Sequence, residues 1–562
     1  MKLIYTVLLA LVELLASSPG FCQESVFNGL KSNVKRADYF FNINSYKNAQ
    51  ELYLSAERKN KGGDMIYLKL GRTYFKLKEY ENSAFWYGKH MDEKTSLPDE
   101  ELLNYAEALR STGDYEKAIR YYKIYRKTHP EDQRIIEKIW RLSNIQFLLE
   151  DSIYYTVKLA DINSEGAVYS PTFYKDGLVL VADKKAIGGI TEVDGVSNTP
   201  FKTLYFAGLR IDTLAPILKY NYTELEEFSK EITSRYNIGP LSFFPGETKM
   251  IYTKNGELNR KDGSTLQLFI AKKSGNIWKE VEPMPFNSTK YSVSHPALNE
   301  DGNILYFVTD MPGGYGGKDL YVSYYRNNSW SKPENLGDRI NTPGDETFPF
   351  VHKSNLYFAS NGHSGLGGLD IYKIDSRDIH TGQVINPGFP LNTSFDDFGI
   401  ALNDDGTRGF ISSNRRNGGF DDNIYEIEID LQTYPLTIRG IVRYKELNWR
   451  DLDMFDILPN ANLFLIDVRR GIQVGKSKTD SLGYFEIDIP YASLYVMKVV
   501  ESSIGEIKVS FEIPKNKKPD EGQDIVIVKD GSLLNKESNK VIRPLNSDSL
   551  KLNVGKNENK DI

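Results

Sequence analysis

The pattern of apolar and polar positions changes three times along this chain of 562 residues. Residues 27–150 carry the spacing and punctuation of helices. From Tyr154 the period shortens toward two residues, and glycine and proline become more frequent, which is typical of short strands. A second set of short alternating strands occupies residues 436–514, and the chain turns polar from Lys515. The pattern therefore predicts an all-α domain, a large β domain, a small β domain and a tail.

The helical part repeats itself every 34 or 35 residues. Small residues and two series of tyrosines recur at this spacing: Ala37, Gly71 and Ala106; Tyr46, Tyr80 and Tyr115; Tyr53, Tyr87 and Tyr122. A small residue lets the two helices of one unit approach each other, and the tyrosines fill the groove between neighbouring units. The pattern resembles three tetratricopeptide repeats, with a capping helix within residues 132–150. An unrelated helical bundle is the alternative.

The large β domain repeats a strand, a glycine-rich turn, an aspartate and a second strand at 305–322, 356–372 and 410–425. Recurrence about every 50 residues is the signature of β-propeller blades. Five blade starts can be placed, at residues 169–171, 238–240, 294–296, 347–349 and 397–399. We therefore predict a five-bladed propeller over residues 153–432, with six blades as the alternative. The last blade lacks an outer strand, so we expect a strand beginning at Tyr154 to complete it and close the ring.

The small β domain and the tail differ in composition. Residues 436–514 hold short alternating strands joined by tight turns such as Asp480-Ser481-Leu482-Gly483, which predicts a small β-sandwich. Lysine, asparagine, aspartate, serine and glutamate dominate residues 515–562. We expect most of this tail to be disordered, because it has little apolar periodicity.

The N-terminal 22 residues have the features of a secretory signal peptide: Lys2, then an apolar stretch of 14 residues, then small residues. No apolar stretch is long enough to span a bilayer. Cleavage after Cys22, the only cysteine, would expose Gln23 and leave an exported protein without disulfides. Lipidation of Cys22 is the alternative, although Phe21 is an unusual residue before a lipidated cysteine. The balance of 70 basic and 76 acidic residues does not favour nucleic acid as a partner.

The glycine-rich turns are the first candidates for chemistry. Each turn leads into a strand, whereas a phosphate-binding loop must open a helix. We therefore predict tight turns in which the following aspartates cap backbone amides. A Ca²⁺ site is the alternative for four aspartates, although they lack the dense spacing of calcium loops: Asp319, Asp370, Asp421 and Asp422.

The remaining candidates are histidines and paired carboxylates. The histidines show no spacing typical of metal ligands, although His352 and His363 lie in one predicted blade; the others are His90, His129, His295 and His380. The carboxylate pairs Asp345/Glu346 and Asp396/Asp397 recur at equivalent turns, which favours a role in the scaffold. No G-x-S-x-G motif supplies a nucleophile. The sequence thus predicts no catalytic, cofactor-binding or metal-binding residue, and no cofactor.

Specific motifs in the blades resemble the PD-type propeller repeats of periplasmic proteins in Bacteroidota. The match is close at residues 294–308, 310–317, 344–350 and 358–363. The order of tetratricopeptide repeats, propeller and carboxypeptidase-regulatory-like sandwich is similar to that of PorE-type proteins of the type IX secretion and gliding machinery. Those relatives usually end in an OmpA-like peptidoglycan-binding domain, which the polar residues after the sandwich do not resemble. Peptidoglycan anchoring is therefore not implied for this chain.

These features lead to an expectation about function. Helical repeats and a propeller are two binding platforms, so we expect a non-catalytic periplasmic scaffold with protein partners at the inner face of the outer membrane. A propeller that binds a glycan or another small ligand is the alternative, and an enzyme is not expected. Exposed residues within 64–77 and 100–110, on the first helices of two repeats, are the predicted partner surface.

Overall fold

A computed structural model gives the structure of the chain. It describes residues 32–429 with gaps at 62, 64, 94–95, 144, 146–147, 149–154, 163–165, 184–192, 195–197, 213–218, 233, 235, 257–263, 276 and 420. It also describes residues 436–513 with gaps at 445–455, 469–471, 490–492 and 503–504, and residues 524–527, 533–535 and 541–542. The predicted signal peptide, with Cys22, lies outside the described residues. The chain divides into two compact units, Met1–Ile429 and Asp430–Ile562.

The first unit begins with helices that pair in sequence order. They are α1 (Asn33–Asn42), α2 (Tyr46–Glu57), α3 (Met65–Lys76), α4 (Tyr80–Glu93), α5 (Asp99–Ser111), α6 (Tyr115–Thr128) and α7 (Gln133–Ser143). Helices α1, α3 and α5 pack on α2, α4 and α6, and α7 covers α6 in the place predicted for the capping helix. Within the described part of the chain, none of the helices has the length and apolar character needed to cross a membrane.

The small residues that recur in the repeats allow this packing. Ala37 and Ala106 are fully buried. A Cβ on Gly71 would lie only 2.8 Å from Cδ1 of Tyr87, a fully buried side chain of the facing helix. Tyr87 and its counterpart Tyr122 are buried between helices, as the repeat spacing predicted. The repeat period thus reports which positions must be small and which must fill a groove.

The propeller that follows has five blades, as predicted. Strand β1 (Tyr155–Leu159) comes first. The first two blades comprise β2 (Val168–Tyr174), β3 (Gly177–Asp183), β4 (Lys202–Asp212), β5 (Lys219–Tyr222) and β6 (Glu226–Glu227); then β7 (Ile238–Phe243), β8 (Lys249–Asn255), β9 (Leu266–Ser274) and β10 (Ile277–Pro283). The third comprises β11 (Val293–Leu298), β12 (Ile304–Thr309), β13 (Asp319–Arg326), β14 (Ser329–Trp330) and β15 (Glu334–Asn335). The last two comprise β16 (Glu346–His352), β17 (Asn355–Ser360) and β18 (Asp370–Asp375); then β19 (Asp397–Leu402), β20 (Arg408–Ser413) and β21 (Asn423–Ile429).

The first strand of every blade shifts its register at the predicted blade start. The shifts fall at Tyr169/Thr172, Ile238/Leu241, Ser294/Ala297, Thr347/Phe350 and Phe398/Ala401. In four blades a proline occupies the irregular position, and proline cannot donate to the strand ladder. Recurrent Ser-Pro, Gly-Pro, His-Pro and Phe-Pro pairs were therefore readable from the sequence as blade starts.

The ring is closed by the N-terminal strand, as predicted. Strand β1 pairs antiparallel with β21, from Tyr155 opposite Ile429 to Leu159 opposite Tyr425. The pairing continues beyond the strand, because the Ala160 amide donates to the Ile424 carbonyl at 3.0 Å. Strands β1 and β21, which are separated by residues 160–422, thus meet in the fifth blade, and the edge of β21 gains a partner.

Asparagine side chains satisfy strand positions that no outer strand pairs with. The Asn392 amide accepts from the Ile371 N–H at 2.7 Å and donates to the Ile371 carbonyl at 2.8 Å. Asn341 does the same for Leu320, and Asn287 for Leu268. The side-chain amide imitates a backbone peptide, so buried donors and acceptors on these strands remain satisfied.

The described residues of the second unit form two sheets. Its strands are β22 (Leu436–Tyr444), β23 (Asp456–Ile457), β24 (Asn462–Asp467), β25 (Ile472–Lys478), β26 (Tyr484–Ile489), β27 (Ser493–Glu501), β28 (Gly505–Ile513), β29 (Asp524–Ile527), β30 (Leu533–Asn535) and β31 (Val541–Ile542). One sheet has the order β23-β22-β29-β30-β31, with β26 also on β22, and the other has the order β25-β24-β27-β28.

Strand β29 of this unit lies in the polar tail. We expected residues 515–562 to be mostly disordered, and the described residues of this range include β29, which pairs in parallel with β22, from Asp524 opposite Arg439 to Ile527 opposite Val442. Residues 525–527 read Ile-Val-Ile, which are β-branched residues that favour strands. The polar composition of the whole tail concealed this short apolar run.

Candidate functional site between the helical repeats and the propeller

The helical repeats contact the propeller through buried charged side chains. Arg110 of α5 and Asp370, at the start of β18, are 2% and 0% exposed, and their Nη1 and Oδ2 atoms lie 3.8 Å apart. Nη2 and Nε of Arg110 contact Glu107 Oε2 at 2.8 and 2.9 Å. The Arg110 guanidinium is charged and removed from water, and loss of a partner from such a buried charge is strongly destabilising. These residues therefore fix α5 against the fourth blade.

Glu107 also binds the lysine of the next first helix. Lys138 Nζ donates to Glu107 Oε1 at 2.6 Å and to the carbonyl of Asn361, in the fourth blade, at 3.4 Å. Burial opposes ionisation of Glu107, but Lys138 and Arg110 outweigh it and lower its pKa to about 2. Glu107 is therefore a carboxylate at neutral pH, and it links α5 and α7 at the surface facing the propeller.

A further contact joins the second repeat to the fifth blade. Lys78, which follows α3, donates to Asp396 Oδ2 at 3.2 Å. Asp396 is buried and also accepts from the Leu369 amide at 2.8 Å. The carboxylate raises the pKa of Lys78 and keeps the ammonium charged. The propeller thus meets the repeats at more than one point, so the two domains form one body.

The aspartates after the glycine-rich turns cap backbone amides, as predicted. Asp370 accepts from the Leu366 and Gly367 amides at 3.1 and 3.0 Å, and Asp319 accepts from the Tyr315 amide at 2.6 Å. A Cβ on Gly365 would lie 2.2 Å from Asp370 Oδ2, so the carboxylate itself requires a glycine in the turn. Among the described residues, no group of three potential metal ligands comes together, and this includes the four aspartates considered for Ca²⁺.

The carboxylate pairs also serve their own turns. Glu346 accepts from the Thr342 amide at 2.8 Å and from the hydroxyls of Thr342 and Ser360 at 2.6 Å each. Asp397 accepts from the Thr393 amide and from Arg415. Burial raises the pKa of Glu346 to about 7. Glu346 and Asp397 thus accept hydrogen bonds from equivalent turns in two blades.

A pocket lies between the two domains. We call it the interface pocket, and its volume is about 200 Å³. It is lined by Phe75, Tyr80, Leu103, Glu107, Arg110, Ser111, Arg134, Ile135, Lys138, Pro343, Gly344, Asn361, Gly362 and Gly368. Its helical wall comes mainly from α3, α5 and α7, with Tyr80 at the start of α4. First helices line the binding surface in proteins of this architecture.

The centre of the propeller holds a smaller pocket. It has a volume of about 90 Å³ and is lined by the blade starts, including Pro171, Pro296 and Pro349. His295 Nδ1 accepts from the Phe348 amide at 3.3 Å, and burial lowers the pKa of His295 to about 3. This histidine is therefore neutral and structural. His363 instead contacts the Ile340 carbonyl through Nε2 at 2.8 Å, so it is occupied by its own blade.

An aromatic cluster lies on the second repeat, away from the residues that contact the propeller. Lys89 Nζ lies 4.7 Å from the centroid of the Trp86 ring and 4.9 Å from that of Phe85. The Phe85 side chain is 54% exposed, and Met65 at the start of α3 is 49% exposed. Aromatic residues beside a cation are enriched at protein interfaces, which makes this a candidate contact surface.

Comparison with known proteins supports the helical assignment. Residues 99–142 match the family model of the tetratricopeptide repeat, and they span α5, α6 and most of α7. No curated protein sequence matches the chain. The chain therefore contains tetratricopeptide repeats followed by a propeller.

Solved structures give only distant similarities. A puromycin-hydrolyzing peptidase from Mycobacterium tuberculosis is 12% identical over 46% of this chain and 43% of its own, with a TM-score of 0.27. A protein of unknown function from Dyadobacter fermentans is 11% identical over 50% of this chain and 98% of its own, with a TM-score of 0.31. A GH43_1 enzyme from Xanthomonas citri is 11% identical over 50% of this chain and 93% of its own, with a TM-score of 0.31. The chain thus spans less than half the length of the peptidase, and none of these similarities informs its function.

The structure corrects the predicted partner surface at one place. We expected exposed residues of 64–77 and 100–110 to face a partner, but Glu107 and Arg110 are covered by the chain's own propeller. Met65 remains exposed. Sequence reasoning missed the interface, because a charged residue on a first helix can equally face water, a peptide or a neighbouring domain. Glu107 and Arg110 are three residues apart in the sequence, which predicts an ion pair on the surface of a helix. This spacing does not predict that the pair is buried.

Proposed function

We propose that this chain is a non-catalytic periplasmic scaffold that holds protein partners in the type IX secretion or gliding machinery at the outer membrane. The observation that carries the proposal is the buried interface that joins the helical repeats to the propeller. Through Arg110, Asp370, Lys78 and Asp396, two binding platforms are held in one fixed arrangement. A rigid pair of platforms suits a component that must place two partners at a set separation.

The second repeat supplies the partner surface in this proposal. Its contribution to the interface ends at the C-terminal part of α3 and the start of α4, whereas Met65 and Phe85 remain exposed. Tyr67 stacks on Trp86 at 5.6 Å, which holds the cluster in place before any partner binds. Preordered aromatic side chains lose little entropy on binding, so they suit a protein contact.

The machinery is inferred from the resemblance of the blade motifs and of the domain order to PorE-type proteins. Export to the periplasm follows from the signal peptide predicted from the sequence. The non-catalytic role is supported by the carboxylates themselves, since Glu346, Asp397, Asp319 and Asp370 each cap the backbone of a turn.

A glycan-binding propeller is less well supported. The central pocket of about 90 Å³ has room for about three water molecules. Pockets for small organic ligands usually have volumes of about 300–1,000 Å³. The centre of the propeller is therefore too small for a sugar ring, and a protein partner on the outer surface is the better proposal.

In-cell crosslinking tests the scaffold. The chain, crosslinked in its native cell envelope and purified, should carry outer-membrane proteins of the secretion or gliding machinery, and its mature N-terminus should be Gln23. A Met65→Glu, Phe85→Ala variant should lose at least one of these partners. Tyr315→Ala, at a 50% exposed tyrosine of the propeller, is the matched control. Recovery of no envelope protein, or recovery that is equal for all three chains, would contradict the proposal.

A further inference from the structure

The interface pocket has about twice the volume of the central pocket and is open to solvent, but it can admit only a molecule smaller than the usual drug-sized ligand. At about 200 Å³ it could hold about six or seven water molecules. Arg134 is part of its lining, and the side chain of Arg134 is 42% exposed, so the pocket reaches solvent at this side. A ligand could therefore enter without separation of the repeats from the propeller.

The ionisable side chains of the pocket are predominantly cationic. Arg110, Arg134 and Lys138 line it together with one carboxylate, Glu107, and the other lining side chains are neutral. Glu107 already accepts from Lys138 at 2.6 Å and from Arg110 at 2.8 Å. Outside the pocket, Asp132 binds Arg134 at 2.6 Å. Among the lining side chains alone, three positive charges thus stand against one negative charge.

One donor in the pocket lacks an acceptor. Arg110 is 2% exposed, and its Nη1 has no hydrogen-bond partner among the described residues. The nearest carboxylate oxygen, Asp370 Oδ2, lies 3.8 Å away, beyond hydrogen-bond distance. A guanidinium has five N–H donors and no acceptor, and a buried donor without a partner costs free energy. An oxygen atom in the pocket would satisfy this group.

One part of the wall is apolar. Phe75, Leu103 and Ile135 line the pocket beside the cations. A carboxylate with a short apolar group would place its oxygens toward Arg110 and Lys138 and its carbon atoms toward this wall. A dianionic phosphate fits less well, because it would bring two charges toward Glu107, which is itself ionised.

We propose that the interface pocket binds a carboxylate through Arg110 and Lys138, with Arg134 at the entrance. Two sources offer this same chemistry, a free small carboxylic acid and the carboxylate of a peptide. Binding at this position bridges α5, α7 and the fourth blade, so it strengthens the contact between the two domains. It does not depend on the scaffold function or on any secretion partner.

Titration calorimetry on the full chain tests the proposal, with benzoate as probe and benzamide as its uncharged match. Benzoate should bind saturably at constant ionic strength, and benzamide should not. Lys138→Met should weaken benzoate binding about tenfold, as expected for loss of one charge-assisted hydrogen bond. Lys117→Met, an exposed lysine on α6, is the control and should leave binding unchanged.

Arg134→Gln keeps the test decisive if Lys138→Met does not fold. Arg134 is half-exposed, so its replacement should leave the fold intact, and loss of its charge should also weaken benzoate binding. N-acetylated peptides with a free C-terminus, compared with their C-terminal amides, separate the two sources. If the peptides with a free C-terminus displace benzoate and their amides do not, the pocket takes a peptide carboxylate. If neither peptide displaces benzoate, the pocket takes a small acid. Absence of saturable benzoate binding, equal binding of benzamide, or binding unchanged by Lys138→Met and Arg134→Gln would overturn the proposal.

Discussion

The protonation of Asp370 gives a quantitative prediction about the interface. This carboxyl is fully buried, and burial raises its pKa from 3.8 to about 7, although Arg110 and the amides of Leu366 and Gly367 oppose the change. The folded protein therefore keeps the Asp370 proton up to about pH 7. The unfolded chain releases it near pH 4. Between these values unfolding releases one proton, so Asp370 contributes stability that is lost as the pH rises.

The change Asp370→Asn removes this titration but keeps an acceptor for the turn. The free energy of unfolding of the variant, relative to the wild type, should therefore rise by about 1.4 kcal/mol per pH unit between about pH 4 and pH 7. Over the whole window the rise should approach about 4 kcal/mol, and above pH 7 the difference should be constant. A difference between two proteins is needed, because neutral buried His295 has the opposite dependence on pH and would mask the effect in the wild type alone.

Urea denaturation at a series of pH values, followed by tryptophan fluorescence, provides the assay. Four of the five tryptophans lie in the first unit: Trp86, Trp140, Trp278 and Trp330. Asp375→Asn, in the same strand, is the matched control. Hydrogen bonds from Arg377 lower the pKa of Asp375, so this control should show no pH-dependent difference from the wild type between pH 5 and 7. A flat response for Asp370→Asn in the same range would refute the reasoning and show that Arg110 keeps Asp370 ionised.

Three other predictions follow from the packing. A chain that begins at residue 169 should melt at a lower temperature and aggregate more than one that begins at residue 151, since it lacks β1; equal melting temperatures would contradict ring closure by that strand. Gly71→Ala should destabilise the repeats by about 1–3 kcal/mol in thermal melts monitored by circular dichroism, because its Cβ would press on Tyr87. Lys78→Met should cost about 1 kcal/mol in urea denaturation, since the lysine is half-exposed; no loss would mean that Asp396 is satisfied by the Leu369 amide alone.

Much of the architecture was predictable because repetition makes local requirements visible. Ala37, Gly71 and Ala106 mark the same close helix contact three times, and the X-Pro pairs mark the same irregularity at the start of four blades. Even the closure by β1 could be inferred, because the last blade lacked a strand that the others possess. In each case the requirement could be recognised by comparing equivalent positions in successive repeats or blades of the same chain.

The interface could not be predicted in this way. Arg110 and Lys138 are not part of the repeated pattern. The repeat period therefore does not indicate whether such a charged side chain contacts water or a buried carboxylate. Asp370 was recognised as a turn residue, but its neighbour Arg110 lies 260 positions earlier in the chain. Strand β29 was missed for a different reason, since an apolar run of a few residues disappears in the average composition of a polar tail.

The pairing of β1 with β21 has a mechanical consequence. Because the strands are antiparallel, the chain enters the ring at Tyr155 and leaves it beside that residue, at Ile429. Tension applied between the two ends of the propeller would therefore act on one residue pair at a time and separate the strands sequentially. Strands that separate pair by pair resist force poorly. The contacts of Lys78 and Arg110 with the fifth and fourth blades offer a second route for such a load. In a protein under pulling force, the contacts between the helical repeats and the propeller would carry part of the load and protect the pairing of β1 with β21.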